Sequence, residues 1–239
     1  MRQDKQNKSK FSIFGLLFSF ISFTTGIIAV VGYRLEWWRH IKAFSIFGWA
    51  TYMAIIAITF LIVSLYINHN SRQKKVWILD ILGILLALPI LIGTALFNYA
   101  ATVYPPINDI STDTKNPPSY WNMPNPMEYP QEKFAIKQHK AYPDLVPLVL
   151  SQTPKKVFDK ALKIVNKNGW KLVSKDREEE QIEAVASSLF FGFKDEVVIR
   201  IQKTKNGTLV DIRSRSRIGK IDRGANAKRI RGFIKALKN

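Results

Sequence analysis

The sequence predicts an α+β protein: a three-helix transmembrane anchor, then a small domain with a four-stranded antiparallel sheet and two helices packed on one face. Two observations predict this. Three long apolar runs follow one another in residues 11–101, and residues 151–239 show helical spacing at both ends with strand-like alternation between them. The element order of the domain is α-β-β-β-β-α, and two helices on one face of an antiparallel meander is a common α+β arrangement.

Each of the three apolar runs is long enough to cross a membrane. They cover residues 11–32, 44–67 and 77–101, after a basic tail at residues 1–10. A bilayer core of about 30 Å needs about 20 residues of helix. A cleaved signal peptide is not expected, because the first run is too long and no small-residue cleavage site follows it. The chain is therefore expected to be an integral membrane protein with three spans.

Basic residues in the short flanks predict the orientation of the spans. The side that contains the tail has seven basic residues, which are Arg2, Lys5, Lys8, Lys10, Arg72, Lys74 and Lys75. The opposite side has three, which are Arg34, Arg39 and Lys42. Because basic flanks stay in the cytoplasm, the N-terminus is expected inside. The protein would then be a multi-pass protein of the cell inner membrane with an extracytoplasmic C-terminal domain.

Composition excludes several classes of site. The 239 residues contain no cysteine, so there is no disulfide framework, thiolate metal site or cysteine nucleophile. The three histidines, His40, His69 and His139, are scattered, which argues against a histidine metal centre or a Ser-His-Asp triad. We expect neither a metal ion nor a cofactor.

Residues 102–150 are rich in proline and are expected to form a semi-rigid linker. Pro-Pro pairs disfavour regular helix and favour extended or turn conformations. The linker also contains large aromatic residues, which suggest that part of it packs onto the domain that follows. These residues are Tyr120, Trp121, Tyr129 and Phe134.

The domain at residues 151–239 is predicted element by element. Thr153-Pro154 reads as an N-cap followed by the first residue of a helix, which ends before Asn168-Gly169. Strands are predicted at 170–175, 181–188, 196–203 and 208–217, and a second helix at 223–237. Alternation along the fourth strand places Ser214 and Ser216 under the helices. It places Asp211, Arg213, Arg215 and Arg217 on the other face, which is expected to be an open basic surface near Arg200.

Residues 213–230, reading RSRSRIGKIDRGANAKRI, contain the candidate site. Residues 194–239 hold 14 Lys/Arg against 4 Asp/Glu, a net charge of +10, which suggests an anionic partner. Arginines are bidentate donors to anions, and a helix N-terminus adds partial positive charge. In the alternative interpretation these residues pair with one another and are structural. The candidate ligand-binding residues are Arg200, Arg213, Ser214, Ser216, Arg217, Asp222, Asn226 and Arg229.

Residues 105–239 also carry motifs that resemble a known family. The motifs are Ile110-Ser111-Thr112-Asp113 with Pro117-Pro118, Ile182-Glu183-Ala184, Phe191-Gly192-Phe193 followed by Asp195-Glu196-Val197, and residues 213–230. They resemble the bacterial and plant-plastid family filed as domain of unknown function number fourteen ninety-nine. The resemblance implies the fold and an envelope setting, with three spans before the domain, but brings no established activity. Glu196 stands where the family usually has Asp, which argues against two-Asp chemistry.

These observations predict a non-enzymatic integral membrane protein that binds an anionic envelope ligand or a protein partner through its basic strand–turn–helix surface. The ligand could be an anionic lipid, a polysaccharide or an envelope protein. Nucleic acid is not expected, because the predicted topology places the domain away from the cytoplasm. The alternative function is an envelope hydrolase, although no spacing matches a known catalytic motif. Its acid/base residues would be a carboxylate cluster of Asp195, Glu196, Asp211 and Asp222.

Overall fold

The structure is a computed structural model that describes residues 2–70, 73–124 and 127–239, with side chains from Lys10 onwards. Several basic residues used to predict the orientation lie outside this part. They are Arg72 and the side chains of Arg2, Lys5 and Lys8. The chain divides into two compact units, Met1–Tyr99 and Ala100–Asn239.

The first unit is formed by three long helices. They are α1 (Arg2–Arg34), α2 (His40–Asn68) and α3 (Lys74–Val103). The last four residues of α3 belong to the second unit. All three are long and apolar enough to cross a membrane, which agrees with the predicted spans. The chain is therefore a candidate multi-pass membrane protein.

Small residues line the contacts between these helices. Ala50, Ala54 and Ala57 of α2 and Ala87 of α3 are fully buried in one cluster. Ser22 of α1 donates a hydrogen bond of 2.7 Å to the backbone carbonyl of Ala50. Small side chains let helix backbones approach closely, which favours packing where the surroundings are as apolar as the helices.

The second unit is built on a six-stranded antiparallel sheet. The strands are β1 (Asp109–Ser111), β2 (Leu148–Leu150), β3 (Lys171–Asp176), β4 (Gln181–Ser187), β5 (Lys194–Thr204) and β6 (Gly207–Ser216). Their order is β1-β6-β5-β4-β3, and β2 also pairs with β6. The four predicted strands correspond to β3–β6. The predicted count of four is wrong, because two short strands from the proline-rich segment complete the sheet.

Strand β6 is hydrogen-bonded along both edges. One edge pairs with β5, with Arg200 opposite Asp211. The other edge pairs with β1 near the end of the strand, where Asp109 lies opposite Arg215. The same edge pairs with β2 near its start, where Leu150 lies opposite Thr208. The candidate site residues of β6 are therefore in the interior of the sheet.

Three helices accompany the sheet. They are α4 (Gln131–Ala141), α5 (Pro154–Lys167) and α6 (Ala225–Lys238). Helices α5 and α6 contribute Phe158 and Phe233 to the core beneath one face of the sheet, where Val197, Ile199 and Ile201 of β5 are buried. Alternate residues of β5 therefore share the face that the helices cover. Helix α4 was not predicted, because it lies in the segment interpreted as a linker.

The other face of the sheet is covered, so the prediction of an open basic surface is wrong. Tyr120 and Met123 pack on Val185 and Val198 of this face. We call residues 112–124 and 127–130 the covering segment. Glu183 of β4 holds this segment in place, since its carboxylate accepts the backbone N–H groups of Trp121 and Asn122 at 2.8 and 3.1 Å. As a result, the arginines of β6 lie between the sheet and the proline-rich chain.

Candidate functional site

The most buried candidate residue is Arg213, which is 2% exposed. Its guanidinium donates to both carboxylate oxygens of Asp109, at 2.9 and 2.8 Å. It also donates to the backbone carbonyls of Pro118 and Met127, each at 3.0 Å. A bidentate arginine–carboxylate pair is among the stronger charge-assisted contacts in proteins. Arg213 therefore fastens β1 and the covering segment to β6.

Aromatic rings flank the same guanidinium. The rings of Tyr120 and Tyr129 have their centroids 4.8 and 5.5 Å from its central carbon. Cations at this distance from an aromatic face are attracted to it. Burial alone would lower the pKa of Arg213. The hydrogen bonds to Asp109 and the negative charge of Asp109 outweigh this effect, so the pKa of Arg213 is raised. Burial also raises the pKa of Tyr120 well above its usual value.

Glu196 of β5 neutralises the other two arginines on this face. Its side chain is fully buried and accepts hydrogen bonds from Arg215 and from Nε of Arg217, the latter at 2.8 Å. Three arginines at alternate positions thus share two carboxylates; Arg213 and Arg215 lie in β6, and Arg217 directly follows it. We call these five residues the loop-side cluster; they are Asp109, Glu196, Arg213, Arg215 and Arg217.

Arg200 lies in a separate ion-pair group at the start of the covering segment. It donates to Asp211 at 2.9 Å and to Asp113 at 3.4 Å. Thr112 also donates to Asp211, at 3.1 Å. The predicted proximity of Arg200 and Asp211 is confirmed. Burial raises the pKa of Asp211, and the hydrogen bond and charge of Arg200 oppose that effect.

The opposite face of β6 carries a second cluster, beneath α6. Arg229 donates to Asp195 at 2.7 Å and to the hydroxyl of Ser214 at 2.8 Å, and it also contacts Asn226. Asn226 accepts a hydrogen bond from Ser214 at 2.8 Å and donates one to Ser216 at 3.0 Å. We call these five residues the helix-side cluster. Asn226 and Arg229, two candidate residues one helical turn apart, therefore meet at Ser214.

Asp222 occupies the start of α6. Its two carboxylate oxygens accept the backbone N–H groups of Gly224 and Asn226, at 3.0 and 2.8 Å. Gly224 has φ +78° and a Cβ there would lie 2.4 Å from the ring of Tyr104, so this turn requires glycine. Burial raises the pKa of Asp222. The helix N-terminus predicted to receive an external anion therefore holds an internal carboxylate.

The structure does not bring the candidate arginines Arg213, Arg217 and Arg229 together. Arg213 and Arg217 lie on the covered face of the sheet, whereas Arg229 lies on the helix face. The four carboxylates of the hydrolase alternative are likewise divided. Asp195 belongs to the helix-side cluster and Glu196 to the loop-side cluster. Within the described ranges, no group of three or more His, Asp or Glu residues is arranged to hold a metal ion.

Sequence reasoning missed four residues that organise these clusters. Tyr120 and Asp109 were assigned to the linker, although Asp109 immediately precedes the motif at residues 110–113. Glu183 lies inside the motif Ile182-Glu183-Ala184, but that motif does not indicate a role for it. Alternation places Arg215 on the same face as Arg213, although Arg215 is not among the candidate residues. Strand alternation could have identified Arg215. Asp109 and Tyr120 could not be identified in this way, because they reach the arginines only through tertiary packing.

The family comparison covers the same region as these clusters. A family model described as "Protein of unknown function (DUF1499)" matches residues 109–237. This range begins at the first residue of β1 and is more than half of the 239-residue chain. No curated protein matches the chain.

Proposed function

The chain belongs to the DUF1499 family, whose function is unknown. From the charge distribution of the C-terminal domain, we propose that the chain is a non-enzymatic multi-pass membrane protein whose extracytoplasmic domain binds an anionic envelope ligand. The ligand would meet exposed lysines and the partly exposed Arg217 rather than the more buried candidate arginines Arg200, Arg213 and Arg229. Those arginines already donate to carboxylates within the domain. The observation that carries the proposal is the separation of acids from lysines in residues 194–239.

All four acidic residues of this segment are buried. Asp195, Glu196, Asp211 and Asp222 are at most 8% exposed, and each accepts hydrogen bonds inside the domain. All seven lysines of the segment are exposed; they are Lys194, Lys203, Lys205, Lys220, Lys228, Lys235 and Lys238. Asp195, Glu196 and Asp211 pair with arginines, and Asp222 accepts backbone N–H groups, so the positive charge of the lysines is displayed to solvent.

The end of the sheet near the β6–α6 turn is the preferred binding region. The backbone N–H of Arg217 donates to the carbonyl of Lys194 at 3.2 Å, which holds the start of β5 beside the end of β6. Arg217 retains 30% of its side-chain exposure while it pairs with Glu196. Lys220 follows in the turn and Lys228 lies in the first turns of α6. An anion at this end would meet several cations from separate elements.

Within the described chain, the geometry does not favour the hydrolase alternative. A general acid or a metal ligand needs an oxygen that faces substrate or metal. Both oxygens of Asp222 accept backbone N–H groups, and Asp195 and Glu196 pair with arginines on opposite faces of β5. A structural use of these carboxylates accounts for their contacts.

The binding proposal predicts a loss of affinity when the preferred region is neutralised. Replacing Lys194, Lys220 and Lys228 together by glutamine should weaken binding of the detergent-solubilised chain to dextran sulfate by about tenfold, because each exposed cation contributes on the order of 1 kcal/mol or less. Binding would be measured by fluorescence anisotropy at two salt concentrations, since exposed charges are screened by salt.

The matched control changes lysines at the far end of the same strand. Lys203 and Lys205 lie about 30 Å from Lys194, estimated from the rise of about 3.3 Å per strand residue. Their replacement by glutamine should leave the affinity nearly unchanged. Losses of binding free energy in proportion to the lysines removed, three against two, would mean that dextran sulfate responds only to total charge. No loss in either variant would overturn the binding region.

The extracytoplasmic placement makes its own prediction. The chain has no cysteine, so a Lys205→Cys variant has a single reactive thiol in the exposed β5–β6 turn. A membrane-impermeant maleimide should label this thiol in intact bacterial cells, whereas a cysteine introduced at Lys74 should need permeabilised cells. Labelling of Lys74→Cys alone in intact cells would place the domain in the cytoplasm and reopen nucleic acid as a ligand.

A further inference from the structure

The loop between β4 and β5, at residues 188–193, presents large apolar side chains to solvent. Its sequence is SLFFGF, and Leu189 and Phe190 are 94% and 58% exposed. Phe191, in contrast, is 9% exposed and stacks on Phe193 with ring centroids 5.0 Å apart. Phe190 meets the ring of Phe191 edge-on, with ring centroids 5.3 Å apart. The loop thus has an apolar base that is buried and an apolar tip that is largely exposed.

Hydrogen bonds hold the loop in a defined shape. The backbone N–H of Ser188 donates to the carbonyl of Phe193 at 2.8 Å, and the N–H of Gly192 donates to the carbonyl of Ser188 at 3.0 Å. The hydroxyl of Ser188 accepts the N–H of Phe193 at 2.9 Å. A loop closed in this way keeps Leu189 and Phe190 at its tip, so their exposure is a built feature of the hairpin.

Two cations, Lys194 and Arg217, lie at the base of this loop, and Lys220 follows three residues after Arg217. Lys194 follows it directly and is exposed, and its carbonyl accepts the N–H of Arg217 from the neighbouring strand. Arg217 and Lys220 are also exposed. Residues 187–194 contain no acidic residue, and the first one after them, Asp195, is buried against Arg229. An apolar tip with a cationic base matches a bilayer interface, which offers acyl chains beneath anionic headgroups.

We propose that the β4–β5 loop inserts Leu189 and Phe190 into the interface of an anionic bilayer, with Lys194, Arg217 and Lys220 on the lipid phosphates. The contact of the three cations with lipid phosphates rests on the proposed function, since it identifies the anionic ligand as a lipid headgroup. The insertion of the tip is independent of that function.

A bilayer suits this surface better than a protein partner does. Two side chains at the tip of a six-residue loop offer far less area than the roughly 800 Å² per partner of a stable protein interface. A tethered domain needs little intrinsic affinity, because the tether raises the effective concentration of the membrane. Only residues 104–108 separate the end of α3 from β1, which limits that connection to about 18 Å at roughly 3.5 Å per residue.

The proposal is tested on the full chain in nanodiscs of mixed phosphatidylglycerol and phosphatidylcholine. A Leu189→Cys variant is labelled with an environment-sensitive nitrobenzoxadiazole dye, and lipids with doxyl-labelled acyl chains are used as quenchers. We expect a blue-shifted emission and quenching at least threefold stronger than for the same dye on Lys205→Cys. Adding Phe190→Ser to the labelled variant should reduce the quenching. Equal quenching at the two positions would overturn the insertion and point to a protein partner for the loop.

Two further arms separate this proposal from the proposed function. The unlabelled variant Leu189→Ser/Phe190→Ser should bind dextran sulfate as the unchanged chain does, because it retains every lysine. Failure of the lysine variant to lose dextran sulfate affinity would refute the proposed function and leave the quenching result intact. Nanodiscs of phosphatidylcholine alone should give weaker quenching at position 189; equal quenching there would refute the role given to the three cations.

Discussion

Replacing Arg213 by methionine should destabilise the C-terminal domain by about 3–5 kcal/mol, the usual cost of removing one partner of a buried ion pair. The substitution leaves the carboxylate of Asp109 buried without the guanidinium that now donates to both of its oxygens. It also removes the donor to the carbonyls of Pro118 and Met127. We expect β1 and the covering segment to separate from β6 first.

The measurement is a urea titration of the chain in detergent, followed by hydrogen exchange of peptides from β1 and β6. Arg231→Met is the matched control, because Arg231 makes a bidentate contact with Asp144 at the surface. Exposed pairs contribute about 0–1 kcal/mol. The double variant Asp109→Leu/Arg213→Met should recover part of the loss, since it removes the unpaired charge. Similar effects at positions 213 and 231 would show that the buried pair does not organise the domain.

Replacing Gly207 by alanine should cost about 3 kcal/mol or more, through backbone strain and steric overlap that each cost on the order of 1–3 kcal/mol. Gly207 opens β6 with φ +133°, a conformation that residues with a Cβ rarely adopt. A Cβ there would lie 2.2 Å from the backbone carbonyl oxygen of Leu150. Since this atom belongs to β2, relief of the overlap requires the pairing of β2 with β6 to open.

Gly169 provides the control for this substitution. It also has a positive φ, +66°, but no atom lies within 4 Å of a Cβ built on it. Gly169→Ala should therefore show only the conformational penalty, about 1 kcal/mol. The same urea titration would be read in peptides covering β2 and residues 204–210. Equal destabilisation by the two substitutions would mean that the contact with Leu150 relaxes without loss of the strand.

The longer elements of the domain could be predicted because each carries its own periodicity. The predicted strand at 208–217 corresponds to β6 at Gly207–Ser216, and the helix from Pro154 to Lys167 is reproduced. Strands β1 and β2 have three residues each, too few for alternation to be recognised. They are strands because β6 offers them an unpaired edge, and that edge is a property of the assembled sheet.

The candidate site was predicted in part for a similar reason. Alternation correctly separated Ser214 from Arg213, and the turn placed Asp222 at the start of a helix. What covers Arg213 could not be derived, because Asp109 and Tyr120 reach it from a segment about a hundred residues earlier in the chain. Arginines on an open sheet face would be a binding surface. The same arginines beneath an aromatic segment are part of the interior.

The pairing of β1 with β6 also sets the order in which the protein can be completed during synthesis. Asp109 and Arg213 are 104 positions apart, which corresponds to about 5–20 s at roughly 5–20 residues per second. Until β6 has been made, β1 and the covering segment have no strand to join, although the three candidate membrane helices have already been synthesised. During that interval β1 and the covering segment have not yet paired with β6 and are open to proteases and chaperones.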